Sequence, residues 1–525
     1  MKKTVKILAA VLSLFLVAGC TGKQTSKKAE LGEAKYGDTY PIESEVTLTH
    51  WMPMNAKISV SASNYGELPV AKELEKRTGI KVEYIHPSLT NAVEKLNLMI
   101  ASGELPDIIS YGWDTYPGGP GKAVSDGVIL PLNDYIEAYA PNLNAIHDKY
   151  PDLARASLTS EGDFYSAGLF MTDRKLRTSS GIIIREDWLD DLNLSMPETI
   201  DEWHSVLTAF KEEKGATAPL SLDLNAVTKG GFIGAFGVIK DFYHIGDTVY
   251  FGPMEEGYKE FLKTMNQWYN EGLFDSNFST NDKATITANM LNGKTGAMDG
   301  ALSGGLGAML QAAKDPKFKL AGAPYVTHKK GETPMFGQLV AAKVARSAIT
   351  TKCKDIELAM KLLDYGYSEE GNMFFNFGTE GVSYEMVEGY PTYTDLIKNN
   401  PDGLSMAQAM TKYTMNGDSN NFVQDVRYLE QYAGLPVQQE AWKTWCNTKA
   451  EDYVLPTLFI DSEHQTEFAT KMTAITSYVD EMYVKFIAGT EPIENFDKYV
   501  KNLKELGVMQ VLEMKQNAYD EYMKR

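Results

Sequence analysis

The 525-residue sequence is most informative between residues 80 and 111, which begin Ile80-Lys81-Val82-Glu83-Tyr84-Ile85 and end Pro106-Asp107-Ile108-Ile109-Ser110-Tyr111. The first run alternates apolar and polar residues, as a β-strand does, and the last is a short apolar run of the kind that forms a buried strand. Between them, Asn91 to Ser102 has helical spacing and stops at Gly103. A strand, a helix and a strand in this order predict a parallel, wound sheet.

Upstream of this unit, the same order of elements is repeated. Val46 to Trp51 alternates as a strand, and Leu68 to Gly79 has the proline near its first turn and the glycine stop of a helix. Ligands of wound sheets bind beyond the carboxyl ends of the strands. Those ends lead into residues 51–55 and 111–116, which place five candidate ligand-binding side chains in strand-end loops: Trp51, Asn55, Trp113, Asp114 and Tyr116.

A second alternating region begins near Gly181-Ile182-Ile183-Ile184-Arg185. A helical pattern follows over Thr199 to Glu213, and residues 294–300 predict a strand that enters a glycine-rich bend and carries the candidate Asp299. About 480 residues follow the polar N-terminal region, more than one hydrophobic core usually supports. We therefore expect two lobes or domains of α/β structure.

The N-terminal residues have the order of a secretion signal. A basic patch at residues 1–6 precedes the apolar run 7–16, which is too short to span a membrane, and then Val17-Ala18-Gly19-Cys20. These last four residues resemble the lipobox of bacterial lipoproteins. The resemblance implies a signal peptide over 1–19, cleavage before Cys20 and a diacylglycerol on its thiol. Residues 20–45 are mostly polar and are expected to form a flexible, lipid-anchored tether.

Charge and motif content exclude several classes of function. The formal net charge is −19, so nucleic acid is not expected as a partner. The three cysteines are too few for a disulfide framework, and whether Cys353 and Cys446 pair is left open. No catalytic motif, metal motif or cofactor fingerprint is present, and the seven histidines are scattered. We predict no catalytic residues, no metal and no cofactor, although an unrecognised carboxylate pair remains an alternative.

Aromatic residues beside short polar side chains suggest sugar binding. An indole or phenol face covers the apolar C–H face of a sugar ring, while carboxylates and amides bond its hydroxyls. Trp51, Trp113 and Tyr116 fit this pattern, and Glu380 with Tyr384 lies in a similar segment. Core packing for bulk is the competing explanation, most of all for Trp442, which shares helical spacing with Trp445.

Several blocks resemble extracellular solute-binding protein family 1, in particular the lipoproteins that serve carbohydrate ABC importers of Gram-positive bacteria. These blocks are residues 75–82, 96–108, 184–189, 378–381 with 389–391, and 486–522. The resemblance implies a two-lobed periplasmic-binding-protein-like α/β fold, with a wound mixed sheet flanked by helices in each lobe and a hinge between them. We expect the N-terminal lobe at 46–168 and 300–376, and the C-terminal lobe at 169–299 and 377–525.

The same resemblance implies capture of a carbohydrate, most simply an oligosaccharide, and its delivery to ABC permease subunits by a monomer held on the outer face of the cytoplasmic membrane. Relatives often carry a calcium loop after a helix that corresponds to 199–213. Here that place reads as residues 210–219, without carboxylates after Glu213, so no calcium is expected there. Two alternatives stay open: a lipid-anchored polysaccharide-degrading enzyme, and the same fold with a peptide or other solute as its ligand.

Overall fold

Two mixed β-sheets organise the chain in a computed structural model that describes residues 31–223, 226, 230–416 and 420–525. The predicted signal peptide and Cys20 lie outside the described residues. The strands are β1 Thr47–Trp51, β2 Lys81–Ile85, β3 Ile108–Ser110, β4 Ala167–Phe170, β5 Ser180–Arg185, β6 Leu220–Ser221, β7 Phe242–Ile245, β8 Thr248–Phe251, β9 Ala297–Ala301, β10 Leu320–Ala323, β11 Lys343–Ile349, β12 Tyr384–Val387, β13 Tyr390–Tyr393 and β14 Phe422–Val423.

Helices cover both sheets and make up most of the C-terminal part. They are α1 Pro69–Thr78, α2 Ala92–Ser102, α3 Gly119–Ser125, α4 Asn133–Tyr139, α5 Pro141–Lys149, α6 Pro151–Arg155, α7 Arg174–Arg177, α8 Glu186–Leu192, α9 Ile200–Lys214, α10 Glu256–Asn270, α11 Lys283–Leu291, α12 Ala308–Ala312, α13 Ile356–Tyr365, α14 Glu369–Phe377, α15 Asp395–Lys398, α16 Met406–Tyr413, α17 Val426–Tyr432, α18 Pro436–Cys446, α19 Gln465–Ile487, α20 Phe496–Glu505 and α21 Val508–Lys524.

The first sheet has the strand order β14-β4-β11-β3-β1-β2, and the second has the order β10-β5-β9-β6. In the first sheet β1 runs parallel to β2 and β3, while β11 runs antiparallel to β3 and β4. In the second sheet β5 is antiparallel to both neighbours and β6 is parallel to β9. Each sheet with its helices forms one lobe, called the first and the second lobe below, and the predicted two-lobed α/β fold is confirmed.

Local sequence explains why the predicted elements form. Helix α1 has Pro69 in its first turn, where no backbone donor is needed, and ends at Gly79 with φ 72°. A Cβ on Gly79 would lie 2.2 Å from the carbonyl oxygen of Ile42, so the close approach also requires glycine. Helix α9 begins with a capping box between Thr199 and Glu202. The helices predicted near 68–79 and 199–213 thus form within two residues of the expected bounds.

Two of the predicted lobe boundaries disagree with the strand pairing. Strand β10 pairs with β5 in the second sheet, whereas the boundary 300–376 assigned it to the first lobe. Strand β14 pairs with β4 in the first sheet, whereas residues 377–525 were all assigned to the second lobe. Both strands are four residues or shorter and pair with strands far away in sequence, which local patterns do not reveal.

Part of the predicted flexible tether is packed on the first lobe, which corrects the expectation for 20–45. The backbone nitrogens of Lys35 and Tyr36 donate to the carboxylate of Glu357, at 2.8 and 3.0 Å. The Tyr40 hydroxyl donates to the Lys361 carbonyl at 2.7 Å, and Ile42 is 6% exposed. The apolar and aromatic side chains in this otherwise polar segment provide the buried area that orders it.

The cysteines and the helix lengths answer two further questions raised by the sequence. Cys353 and Cys446 are both free thiols. Among the described residues, no helix combines the length and the apolar character that crossing a membrane requires.

Candidate functional site

Three segments cross between the lobes. Residues 171–179 join β4 to β5, residues 324–342 join β10 to β11, and residues 424–435 join β14 through α17 to α18. Since α18 lies against β10, the third segment also ends on the second lobe. Segments of this kind, which lie at element ends between two packed lobes, are where a hinge can form.

Backbone hydrogen bonds hold the first two crossings together. The Met171 nitrogen donates to the Ala342 carbonyl at 2.7 Å, and the Val340 nitrogen donates to the Arg177 carbonyl at 2.9 Å. The Nε of Arg177 donates in return to the Val340 carbonyl at 3.0 Å. Hydrogen bonds therefore connect these two crossings near Met171 and near Arg177.

The sheet edges on either side of the crossings define the cleft. In the first sheet β1 and β3 end at this edge, and antiparallel β11 begins there with Lys343. In the second sheet Ser180, the first residue of β5, pairs with Ala301, the last residue of β9. Because the chain crosses between the lobes from these edges, the strand-end residues of both sheets line the space between the lobes.

A hydrogen-bonded network occupies the second-lobe edge of this cleft. The side-chain amide of Gln338 donates to Oδ1 of Asp299 at 2.9 Å, and the Ser180 hydroxyl donates to Oε1 of Gln338 at 2.5 Å. The Tyr325 hydroxyl donates to the Ser180 carbonyl at 2.8 Å and accepts from the Gln338 nitrogen at 3.0 Å. Each group orients the next, so Asp299 is held in a fixed position.

Asp299 has unusual electrostatics for a carboxyl group. The pKa of Asp299 is raised to about 7, chiefly by burial and also by the nearby carboxylate of Asp223, while the bond from Gln338 opposes the shift. Its side chain is nevertheless only half-buried and remains open to solvent. Near neutral pH it can therefore accept hydrogen bonds as a carboxylate or donate one as an acid, which suits a ligand with hydroxyl groups.

The first lobe contributes Asp114, which follows the buried Trp113 and is exposed. Asp114 lines a cavity of about 350 Å³ together with Phe242 and Lys515 of the second lobe and the segment 454–460. The cavity walls thus come from both sides of the cleft. A carboxylate at this place offers an acceptor to any ligand that spans the lobes.

Lys343 is a buried ammonium at the same edge of the first sheet. Its Nζ lies 4.4 Å from the centre of the Tyr165 ring and 3.4 Å from the Tyr165 hydroxyl. Burial lowers the pKa of Lys343 to about 7, and the charge of Asp114 opposes this shift. The side chain is 5% exposed, so Lys343 supports the edge from within rather than presenting its charge to the cleft.

Comparison with known proteins identifies the family. A family model described as a bacterial extracellular solute-binding protein matches residues 62–373, more than half of the chain. The chain belongs to the bacterial extracellular solute-binding proteins. The resemblance expected from the sequence blocks is thereby confirmed.

Relatives match most of the solute-binding protein. It is 24% identical over 546 residues to the fructooligosaccharide ABC transporter substrate-binding protein FusA of Streptococcus pneumoniae, covering 97% of this chain and 96% of FusA. It is 26% identical over 430 residues to the lipoprotein LipO of Bacillus subtilis, covering 78% and 79%. The crystal structure of the alginate-binding protein AlgQ2 without calcium matches with a TM-score of 0.69 and 26% identity, covering 90% of this chain and 98% of AlgQ2.

Two of the predicted aromatic residues are buried beneath the first-lobe edge of the solute-binding protein. Trp51 is 2% and Trp113 0% exposed, and they share one hydrophobic cluster with Tyr165. Tyr116 is half-buried, with its ring centre 6.1 Å from that of Trp113. Asn55 is half-buried, and its Oδ1 accepts from the Lys57 nitrogen at 2.9 Å, which stabilises a turn. The indoles thus support the loops that carry the polar candidates.

The remaining predicted residues lie in other parts of the molecule. Trp442 is 1% exposed in a second-lobe cluster, and its indole nitrogen donates to the Lys175 carbonyl at 2.8 Å. Tyr384 is 7% exposed and packs on Phe377, with ring centres 5.8 Å apart. Glu380 is exposed. We therefore leave Trp442, Tyr384 and Glu380 out of the site proposed below.

Sequence patterns missed four residues that shape the site: Ser180, Tyr325, Gln338 and Lys343. Gln338 and Tyr325 lie in a crossing segment without regular periodicity, and only tertiary structure brings them to Asp299. Lys343 offered one visible cue, because a lysine at the start of the β-prone run 343–349 is unusual for a central strand. Ser180 directly precedes the apolar run 181–184 and offered none.

The segment predicted to lack calcium is the end of α9. Lys211 donates to the Glu271 carbonyl at 2.5 Å, and Lys214 pairs with Asp191 at 2.6 Å. Across the described residues, no group of three or more His, Cys, Asp or Glu side chains has a metal-binding arrangement. The absence of calcium at residues 210–219 stays a prediction.

Proposed function

We propose that this solute-binding protein captures an oligosaccharide between its lobes and delivers it to an ABC importer. The observation that carries the proposal is the network in which Gln338, on a crossing segment, holds Asp299 at the cleft edge. A carboxyl group with a pKa of about 7 can exchange hydrogen bonds with hydroxyl groups in either protonation state.

The relatives support a carbohydrate as the ligand. FusA is named for fructooligosaccharides and AlgQ2 for alginate, and both match nearly the full chain. On the first lobe, Asn55, Asp114 and Tyr116 provide the amide, the carboxylate and the aromatic face that a sugar needs opposite Asp299. Trp51 and Trp113 act by packing beneath them.

The proposed mechanism is a shift between open and closed forms. A sugar that touches Asp299 on one lobe and Asp114 on the other binds the closed form more tightly, and so favours it by its differential affinity. The crossing segments, one of which carries Gln338, bend during closure. The closed face is then the surface that the permease recognises.

Anchoring and the lack of catalysis belong to the same proposal. The pattern before Cys20 supports lipid attachment outside the cytoplasmic membrane, and LipO, a named lipoprotein, supports it by similarity. Two acyl chains give stable anchoring where one does not. The protein binds its sugar without cleaving it, in keeping with a family of transporter components.

The test is a thermal-shift and isothermal-titration screen of residues 21–525 against fructo-, galacturono-, alginate and milk oligosaccharides, with short peptides as the alternative ligands. A bound sugar raises the melting temperature, since a hundredfold excess over Kd stabilises by about 2.7 kcal/mol. Chromatography of the same samples should return intact sugar. Cleaved products would favour the enzyme alternative, and a response to peptides but to no sugar would contradict the carbohydrate assignment.

A further inference from the structure

The second-lobe edge of the cleft holds two carboxyl groups close together. Strands β6 and β9 run parallel, with Ser221 opposite Met298. Parallel strands end at the same edge of a sheet, so Asp223, two residues beyond β6, comes near Asp299 of β9. The two groups interact, because the charge of Asp223 contributes to the raised pKa of Asp299.

One described counter-charge of Asp223 is an exposed lysine. The Nζ of Lys283 lies 4.0 Å from Oδ2 of Asp223, and the Lys283 side chain is 81% exposed. A solvated ammonium at this distance offsets little of the charge of the pair. Asp223 itself is 14% exposed, and its Oδ1 accepts from the Ala226 nitrogen at 3.0 Å, which fixes its position. The described part of this edge is therefore acidic near neutral pH.

The cavity lined by Asp114 is acidic as well. Asp241 of the second lobe also lines it, and Lys515 is the single lysine or arginine among the described residues of its lining. The Nζ of Lys515 lies 5.1 Å from the centre of the Phe468 ring and 5.8 Å from that of Phe242. Burial lowers the pKa of Lys515, while the charge of Asp241 opposes the shift. Two carboxylates thus face one ammonium, which the aromatic rings already contact.

A larger cavity, of about 710 Å³, shares the wall 454–457 with the Asp114 cavity. Its lining includes three basic side chains, Arg155, Arg177 and Lys343. Arg155 pairs with Asp152 at 3.6 Å, and Arg177 pairs with Glu451 at 2.8 Å. Lys343 is the buried ammonium whose pKa is lowered to about 7, chiefly by burial. Each arginine already has a carboxylate partner, and the lysine is covered by protein.

This distribution of charge distinguishes neutral from acidic sugars. Carboxylates accept hydrogen bonds from the hydroxyl groups that every sugar carries. A uronate adds a carboxylate of its own, which is best bound by arginine or lysine donors and is repelled by other carboxylates. In addition, 70 acidic against 51 basic residues give the chain a formal net charge of −19, which opposes the approach of a polyanion.

We infer that the ligand of this protein is an uncharged oligosaccharide, and that Asp223 and Asp299 together select it against uronate oligosaccharides. This inference rests on the proposed function and names its substrate class. The two carboxyl groups accept hydrogen bonds from the hydroxyl groups of a neutral sugar and repel the carboxylate of an acidic one. Asp114 has the same effect on a sugar unit that lies against the first lobe.

The experiment is isothermal titration of residues 21–525 with two panels of oligosaccharides of two to six units. The uncharged panel holds fructo-, galacto- and neutral milk oligosaccharides together with methyl-esterified galacturonides. The acidic panel holds the free galacturonides and alginate oligosaccharides. The tightest ligand should be uncharged, and every acid should bind at least about tenfold more weakly, a difference of about 1.4 kcal/mol. Competition against the uncharged ligand measures the weak acids.

Variants assign the selection to the carboxyl pair. Asp223→Asn and Asp299→Asn each remove a charge with little change of shape, and each should narrow the gap between the uncharged ligand and the acids by about threefold or more. Glu212→Gln removes an equal charge from an exposed position of α9 and should leave the gap as in wild type. Melting temperatures verify folding, and a loss of fold alone would weaken both panels equally.

The outcomes keep the two proposals apart. If a uronate oligosaccharide binds wild type as tightly as the best uncharged sugar, the inference on charge is wrong while the proposed function stands. If both aspartate variants keep the wild-type gap, the pair does not select the ligand. If no sugar of either panel binds, the proposed function fails and the inference fails with it.

Discussion

Gln338 connects the hinge to the binding edge, because its side-chain amide donates to Asp299 at 2.9 Å while its backbone nitrogen donates to the Tyr325 hydroxyl at 3.0 Å. Ser180, at the start of β5, donates to the same side chain. Gln338, which belongs to the second crossing, thus contacts both the start of β5 and the acidic group of the site. A change in the hinge geometry is therefore expected to move the Asp299 side chain through its hydrogen bond with Gln338.

The first prediction concerns pH and affinity. Burial raises the pKa of Asp299 to about 7, and sugar hydroxyls that donate to the carboxylate favour its ionised form. Binding should therefore release a proton, and affinity should rise between pH 6 and pH 8 by at most about tenfold, the ratio of the ionised fractions. Titration calorimetry at both pH values measures this, and Asp299→Asn should remove the dependence.

The control for this experiment is Glu104→Gln, which neutralises an exposed carboxylate far from the crossings. It should leave the pH dependence as in wild type. An Asp299→Asn protein with the wild-type pH profile would show that another group is responsible.

The second prediction separates packing from binding at Trp442. The indole is 1% exposed and donates to the Lys175 carbonyl at 2.8 Å. Trp442→Phe should lower the free energy of unfolding by roughly 1–3 kcal/mol through lost volume and a lost hydrogen bond. Affinity for the identified sugar should stay within about twofold. Urea denaturation and calorimetry measure the two effects, and a large loss of affinity with intact stability would place this ring in the site.

Sequence patterns were informative where structure is local. The unit from Lys81 to Ser110 and helix α9 depend on periodicity, caps and stops, and they form nearly as expected. The short strands β10 and β14 depend on partners far along the chain, so the lobe boundaries could not be placed. Asp299 could be proposed as a site residue because it lies near the end of a predicted strand. Gln338 and Tyr325 could not, because only tertiary contacts bring them near it.

Aromatic content alone does not distinguish a binding residue from a packing residue. Trp51, Trp113 and Trp442 are attractive as sugar platforms because of their chemistry, but that chemistry also favours burial. Which faces of a ring are covered depends on neighbours from several elements. The short polar residues Asn55 and Asp114, which cost energy to bury, are the better guide to the cleft surface.

The third prediction uses the buried ammonium of Lys343. Burial lowers its pKa from 10.5 to about 7, so the folded state binds this proton less tightly than the unfolded state. The resulting destabilisation is fully present below pH 7 and disappears as pH rises towards 10.5. Lys343→Met should therefore be more stable than wild type at pH 6, by roughly 2–4 kcal/mol, since each pKa unit corresponds to about 1.4 kcal/mol. The advantage should shrink by pH 9.

Urea denaturation of wild type and Lys343→Met at pH 6 and pH 9 measures the difference in their free energies of unfolding. Groups that titrate in the same way in both proteins do not contribute to this difference. His147 is the neighbour to consider, because burial first and then the charge of Lys343 lower its pKa to about 4, below the range used. The control is Lys72→Met on the exposed side of α1, which should show no such pH-dependent gain. Equal stability of wild type and Lys343→Met at every pH would contradict the assignment.

The last prediction concerns the N-terminal segment, whose order was not expected. The rings of Tyr40 and Tyr365 meet edge to face with centres 5.0 Å apart, and Ile42 is 6% exposed. Burying such side chains contributes about 1.5–3 kcal/mol each, so a chain starting at residue 45 should be roughly 2–5 kcal/mol less stable than one starting at residue 31. Tyr40→Phe keeps the ring and removes only its 2.7 Å bond to Lys361, and should cost about 1 kcal/mol. Because these contacts lie on the first lobe away from the crossings, sugar affinity should be the same in all three proteins. Equal stability of the two truncated chains would mean that the contacts of residues 35–42 contribute nothing to the fold.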